Sequence, residues 1–187
     1  MSETPNISLS DVPGLVKSLA KYLNIPKLAV RIAEGLGERE ITIVASPPSF
    51  SDLKLSLLES GLFEEKNISH VAPEAFDKLE SADLILLDYA AIHSDDESAV
   101  RVKLAELLKR KDRRDGLIVY CKYPLRIPTA IPREIPADIP AEERDNWSRS
   151  LYTILSDTAN TVVVTQYGRL LSDILSMMMT TNPQKRG

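Results

Sequence analysis

The residues with the clearest chemical potential lie in the stretch Asp88–Glu97, which is rich in carboxylates and contains a histidine. Carboxylates and imidazoles are the usual general acids and bases in enzymes. The catalytic candidates of the chain are therefore Asp88, His93 and Glu97. A structural interpretation stays open beside this one, because acidic residues at a helix start complement the helix dipole.

Serines supply a second set of polar groups, in the loop with the sequence SPPSFS that follows the first apolar run. The ligand-binding candidates are Ser46, Ser49 and Ser51 in this loop, together with Asp95 and Asp96. Hydroxyls can hydrogen-bond a phosphate or a ribose, so a nucleotide-sized ligand is one alternative. The loop has no glycine, which excludes the phosphate cradles that bind nucleotides through their backbone. The other alternative is a turn followed by a helix that Ser51 or Asp52 caps.

A proline recurs at every fourth position from Pro124 to Pro140, and this arm suggests a binding surface. Prolines at this spacing exclude a continuous helix, and each favours an extended geometry in the residue before it. In an extended strand, the even spacing would place the isoleucines before the last four prolines on one face. The partner-binding candidates are Ile127, Ile131, Ile135 and Ile139. We expect an edge strand or a surface arm, with packing on its own domain as the alternative.

Composition removes several other activities. The single cysteine and two widely separated histidines predict no metal site, and no motif indicates a cofactor. The net charge of −4 argues against nucleic acid as a partner. No apolar run is long enough for a membrane span, and the polar N-terminus does not resemble a signal peptide. We therefore expect a cytoplasmic protein without a membrane partner.

Short apolar runs alternate with amphipathic segments from residue 41 onward. The predicted strands are Ile41–Ala45, Ile68–Val71, Asp83–Leu87, Leu117–Cys121 and Thr161–Thr165. The predicted helices are one from Ser51 or Asp52 to Gly61, then Pro73–Leu79, Asp96–Lys109, Glu142–Leu155 and Leu170–Met178. This alternation predicts a three-layer, flavodoxin-like (Rossmann-like) α/β fold with a five-stranded, mainly parallel sheet in the order 2-1-3-4-5. A ligand is then expected at the carboxyl ends of strands 1 and 3.

The domain organisation follows from these elements. Residues 1–38 are predicted to form a helical appendage of two short amphipathic helices, the second stopping at Gly35 or Gly37. Residues 39–179 form the α/β domain, which includes the proline arm at 124–140, and residues 180–187 form a flexible tail.

The predicted topology, with Asp88 ending the third strand, resembles a response-regulator receiver domain. A receiver also has an acidic pair after strand 1 and a lysine after strand 5. The corresponding residues here are Ala45, Ser46 and Pro47, and then Gln166 and Tyr167. The resemblance therefore implies a degenerate receiver that binds partners without being phosphorylated.

The same order of elements is similar to TIR domains and nucleoside deoxyribosyltransferases. Both cleave N-glycosidic bonds with a glutamate near the helix that follows strand 3. Glu97 is in the corresponding loop, but the small-residue motif that accompanies that glutamate is absent. This resemblance implies an enzyme that acts on a nucleotide or nucleoside, with the proline arm as a lid.

The sequence thus leaves two functions open. The favoured one is a non-catalytic, regulatory interaction module that uses the isoleucine–proline arm to dock on another protein subunit or on itself as a homo-oligomer. The alternative is the N-glycosidic enzyme, so enzymatic activity stays open.

Overall fold

The computed structural model of the chain describes residues 35–94, 96–122, 125–131 and 148–181. Five strands form one sheet in the order β2-β1-β3-β4-β5, and each neighbouring pair is parallel. The strands are β1 (Ile41–Val44), β2 (Ile68–Val71), β3 (Leu84–Asp88), β4 (Gly116–Tyr120) and β5 (Thr161–Val164). The predicted flavodoxin-like α/β fold and its strand order are confirmed.

Helices cover the sheet on both faces and make three layers. They are α1 (Pro47–Glu59), α2 (Tyr89–Ile92), α3 (Glu97–Arg110), α4 (Leu151–Asp157) and α5 (Tyr167–Thr180). Leucines and isoleucines of α1 and α5 pack on one face, and apolar residues of α2, α3 and α4 pack on the other. Because β1, β3 and β4 lie between these layers, all of their residues are buried, whereas the edge strands β2 and β5 are partly exposed.

The structure corrects the predicted start of the first helix. This helix begins at Pro47, with Ser46 as its N-cap residue, and not at Ser51 or Asp52. Two prolines occupy its first positions, where a helix has no internal partner for the backbone N–H. Pro47 and Pro48, which the sequence pattern places in a loop, therefore form the first turn of α1.

Two other helix predictions are also corrected. The segment predicted to be helical from Pro73 forms only a 3-10 turn at Phe76–Lys78. The helix predicted from Glu142 has no helical residue in its described part before Leu151, because Ser150 caps α4 there by accepting a hydrogen bond from the backbone N of Thr153 at 3.1 Å. The short helix α2 was not predicted from the sequence.

At the start of the described chain, residues 35–37 are helical and a turn follows at Glu38. Leu36 is buried among the residues packed under α1 and α5, so this segment is joined to the α/β domain. Several predictions lie outside the described residues, namely the helices within 1–34, the positions Asp95, Ile135 and Ile139, and residues 182–187 of the predicted tail. The first two residues of that tail, 180–187, are described: Thr180 ends α5, and Thr181 is its buried C-cap residue.

Candidate functional site

An open cleft of about 430 Å³ lies at the carboxyl edge of the sheet, between α1, the start of α5 and the ends of β3 and β4. All five strands point the same way, so the residues that follow them collect at this edge, where ligands bind in open α/β sheets. The cleft is lined by Ser49, Asp52, Leu53, Leu55, Ser56, Glu59, Asp88, Ala90, Tyr120, Lys122 and Tyr167. The sequence predicted a ligand site at this edge of the sheet, but it placed the site at the ends of strands 1 and 3, whereas the cleft lies at the ends of β3 and β4.

Asp88 is the carboxylate nearest the sheet in this cleft. It is the last residue of β3, is 4% exposed, and accepts a hydrogen bond through Oδ1 from the backbone N of Ala90 at 3.1 Å. Oδ2 has no hydrogen-bond partner among the described residues, where every fully buried side-chain oxygen or nitrogen has one. Oδ2 therefore retains accessible surface. Asp88 both caps α2 and is one of the residues that line the cleft.

Two tyrosines form the aromatic part of the wall. Tyr120 faces Asp88 in the β3–β4 register, and its ring lies 6.2 Å from the Tyr167 ring at an interplanar angle of 58°. The Tyr167 hydroxyl is hydrogen-bonded to Ser56 Oγ, which joins the start of α5 to α1. Burial and then the negative charge of Asp88 raise the pKa of Tyr120, so its hydroxyl keeps its proton at neutral pH.

The charges around the cleft are mainly negative. Asp52, Glu59 and Asp88 contribute carboxylates, and Lys122 contributes the one ammonium among the lining residues. Lys122 is exposed and forms no ion pair with a described carboxylate. The arrangement therefore favours a positively charged or hydrogen-bonding group over an anion such as a phosphate.

The predicted serines do not act together. Ser46 is the N-cap residue of α1 but makes no side-chain capping bond, and Ser51 Oγ donates to the carbonyl of Pro47 at 3.1 Å. Of the three serines only Ser49 lines the cleft. A helical spacing, not the loop, brings Ser49, Asp52 and Ser56 to one side of α1.

The acidic residues at the start of α3 have separate structural roles. Asp96 caps α3 by accepting from Ser98 N at 2.9 Å, as the helix-dipole interpretation predicts. Glu97 Oε1 accepts from Arg101 at 3.0 Å (Nε) and 2.7 Å (Nη2). Arg101 is 4% exposed and also donates to the Arg149 carbonyl at 2.8 Å. Glu97 thus holds a buried arginine in place, and neither acidic residue lines the cleft.

Both histidines have structural neighbours. His93 is the C-cap residue of α2, is exposed, and has its ring 5.7 Å from that of Tyr89. His70 stacks on Phe50 with ring centroids 4.3 Å apart, and its Nε2 lies 2.8 Å from the carbonyl oxygen of Ala45. Neither histidine lines the cleft.

The start of the proline arm packs on its own domain. Ile127 is 8% exposed and is buried with residues of α4, while the Pro128 carbonyl accepts from Tyr152 N at 3.1 Å. Ile131 is 63% exposed. Residues 125–131 contain no strand, and of the two described isoleucines of the arm Ile127 is buried whereas Ile131 is exposed. That the isoleucines of the arm share one face in an extended strand stays a prediction.

The Cys121 thiol is not a reactive group. It is 1% exposed, and burial raises its pKa above the usual range, opposed by a hydrogen bond with the backbone of Ile127. The thiol is therefore protonated at neutral pH and packs as a small apolar side chain.

The sequence did not single out Tyr120, Lys122 and Tyr167 as members of one site. The available signal was their position, since Tyr120 lies near the end of a predicted strand and Lys122 and Tyr167 follow the ends of two such strands. Within the described residues no cluster of three or more histidine, cysteine, aspartate or glutamate side chains could hold a metal ion. None of the helices in the described ranges combines the length and the apolar character that crossing a bilayer requires.

Comparisons with protein-family models, with curated proteins and with solved structures find no match for this chain.

Proposed function

We propose that this chain is a non-catalytic interaction and regulatory module that docks on a partner, either another protein subunit or a second copy, through its isoleucine–proline arm. The observation that carries the proposal is the exposure of Ile131, 63%, a few residues after an anchored stretch of the same arm. A large aliphatic side chain exposed to this degree is suited to burial in an interface.

The anchor gives the arm a fixed starting point. Ile127 is buried against α4, and the Pro128 carbonyl accepts a hydrogen bond from Tyr152 at the start of that helix. The next proline follows Ile131 directly, which restricts the backbone of this isoleucine before any partner binds. A pre-ordered segment loses less conformational entropy on binding, which improves affinity.

A second exposed apolar residue belongs to the same region. Tyr152 is 48% exposed, and its backbone N makes the hydrogen bond to Pro128. Tyrosine is enriched in interfaces because its ring is apolar and its hydroxyl can still hydrogen-bond. We assign Ile131 and Tyr152 to one docking surface.

The alternative, cleavage of an N-glycosidic bond, has less support. Its catalytic candidate, Glu97, pairs with the buried Arg101 and does not line the cleft. Asp88 and His93 are both cap residues of α2, which explains them without catalysis. A non-catalytic role also agrees with the interpretation as a degenerate receiver, because the residues that follow β1 beside Asp88 include no acidic pair.

The test compares Ile131→Asp with Met179→Asp as a matched control. Met179 is 65% exposed and lies on α5, which covers the other face of the sheet, so both variants place the same charge on an equally exposed apolar position. Native mass spectrometry and sedimentation of the purified protein report self-association. Crosslinking of the wild-type protein and of each variant in the source cells detects a complex with a different protein subunit.

We expect the wild-type protein and the Met179→Asp variant to form the same stoichiometric complex, and Ile131→Asp to weaken it at least about tenfold, which corresponds to about 1.4 kcal/mol. Equal complex formation by both variants would contradict the proposal. So would a protein that stays monomeric when pure and acquires no stoichiometric subunit in the cell.

A further inference from the structure

We propose that the cleft between α1, the start of α5 and the ends of β3 and β4 binds a small organic cation. In this proposal Asp88 is the counter-charge, and the rings of Tyr120 and Tyr167 flank the bound ammonium group. The cleft lies on the α1 and α5 face of the sheet, whereas the arm is anchored on the other face. The inference therefore does not rest on the proposed docking function.

Asp88 has no counter-charge among the described residues. The residue is 4% exposed, and the one hydrogen bond that it accepts, from Ala90 N at 3.1 Å, involves Oδ1 only. Oδ2 has no hydrogen-bond partner among the described residues and retains accessible surface, Asp88 lines the cleft, and Lys122 makes no ion pair with Asp88. A carboxylate this buried gains most from a positive charge that replaces the water it has lost.

Two aromatic rings lie next to this carboxylate in the wall of the cleft. Tyr120 is the register neighbour of Asp88, so the ring and the carboxylate extend from adjacent strands toward the same face. The Tyr120 and Tyr167 rings are 6.2 Å apart and inclined at 58°, so they meet as two walls of a corner. The hydrogen bond between the hydroxyls of Tyr167 and Ser56 holds the outer wall in position. Tyrosine faces beside a carboxylate attract ammonium groups through cation–π interactions.

The charge and the size of the cleft indicate which class of cation fits it. Asp52 and Glu59 add negative charge on the α1 side, which raises the local concentration of cations. The cleft volume of about 430 Å³ is in the range of small-molecule sites. This volume is far larger than the space that one metal ion needs. Among the described residues no set of three carboxylate, histidine or cysteine ligands converges here. An organic ammonium ion matches the size, the charge and the aromatic walls.

The experiment is an NMR titration of the ¹⁵N-labelled full chain with choline, and with 3,3-dimethylbutan-1-ol as its uncharged isostere. A third titration with magnesium chloride tests for a metal ion at the same place. We expect choline at millimolar concentration to shift the amide signals of Ser56, Tyr120, Lys122 and Tyr167. The isostere and magnesium should shift them little, because the first lacks charge and the second cannot use the rings.

Variants separate the two contributions. Asp88→Asn keeps an oxygen that can cap α2 but removes the charge, and we expect it to raise the Kd for choline at least about tenfold. Tyr167→Leu removes the exposed wall and should raise the Kd several-fold, which provides a second test if Asp88→Asn does not fold. Glu106→Gln on α3, on the opposite face of the sheet, removes one charge elsewhere and should leave the Kd unchanged.

Three outcomes would overturn the proposal. Equal shifts from choline and its isostere would make the cleft a merely apolar groove. Shifts from magnesium alone would make it a metal site. The third is no binding of choline at all.

Discussion

At the scale of the residue, burial decides the chemistry of the titratable groups more than sequence neighbourhood does. Tyr89 is the first residue after Asp88, so the sequence places it in the candidate catalytic stretch. The structure buries it to 2% exposure under the helices of the α3 and α4 face. Burial, with smaller contributions from the charges of Cys121 and Glu97, raises the pKa of Tyr89 from 10.0 to about 12.

This shift predicts a loss of stability at alkaline pH. A folded-state pKa above the unfolded value means that the neutral phenol stabilises the fold fully below about pH 10, and that this contribution is lost as the pH rises toward about 12. We expect the free energy of unfolding, measured by urea denaturation, to decrease across this interval. The decrease should be smaller in Tyr89→Phe, which has no phenol to ionise at this position. An identical decrease in both proteins would show that Tyr89 is not responsible.

At the scale of the element, one glycine allows α5 to pack closely on the sheet. Gly116 begins β4, and a Cβ placed on it would lie 2.6 Å from Met177 Cγ and 3.0 Å from Leu84 Cδ1. Met177 is a buried residue of α5, and Leu84 begins β3. The missing side chain is therefore a packing requirement between α5 and two neighbouring strands.

We expect Gly116→Ala to destabilise the protein by about 1–3 kcal/mol, because the added methyl overpacks this contact. Gly168 on α5 is the matched control, since nothing lies within 4 Å of a Cβ added there. Gly168→Ala should be neutral or stabilising by up to about 1 kcal/mol, as alanine favours helix. Thermal or urea unfolding of the two variants checks this pair, and equal stabilities would refute the packing argument.

At the scale of the whole molecule, a single arginine joins the sheet to the last helix. Arg39 precedes β1 and pairs with Asp83, which precedes β3, at 3.1 Å. Its other terminal nitrogen donates to the carbonyls of Met178 and Thr181, at 3.1 and 3.0 Å, at the end of α5. Because Asp83 also accepts from Glu40 N at 3.0 Å, the pair links three distant parts of the chain.

Replacement of this arginine should therefore affect the whole fold. The side chains of Arg39 and Asp83 are only 11% and 9% exposed, so Arg39→Met removes a cation partner from a largely buried carboxylate. It also removes the donor to two backbone carbonyls at the end of α5. We expect a loss of about 3 kcal/mol in the free energy of unfolding. The exposed pair of Lys66 and Glu64 provides the control, and Lys66→Met should cost less than about 1 kcal/mol. A similar small effect for both substitutions would contradict the assigned role.

The prediction of the elements succeeded where the signal is local. Apolar runs such as Ile41–Ala45 contain no charged side chains that would favour a solvent-exposed face, so they form the interior strands. The strand order is the one that right-handed crossovers between consecutive strands predict. Local signals failed where two patterns compete. The prolines after Ser46 resemble a loop but form a helix start, and Ser150 ends the non-helical segment before α4 through one capping bond.

The sequence by itself determined the class of the fold, the strand order and the edge of the sheet at which polar residues collect. Periodicity and spacing act over a few residues and define the elements, and the preference for right-handed crossovers between consecutive elements then predicts the strand order. Only the tertiary structure decided which of those residues meet. Register brings Asp88 to Tyr120, and the ion pair with the buried Arg101 occupies Glu97. The packing of the first residues of the arm buries Ile127 but leaves Ile131 exposed. Such contacts join positions far apart in the chain, and they depend on how whole elements pack.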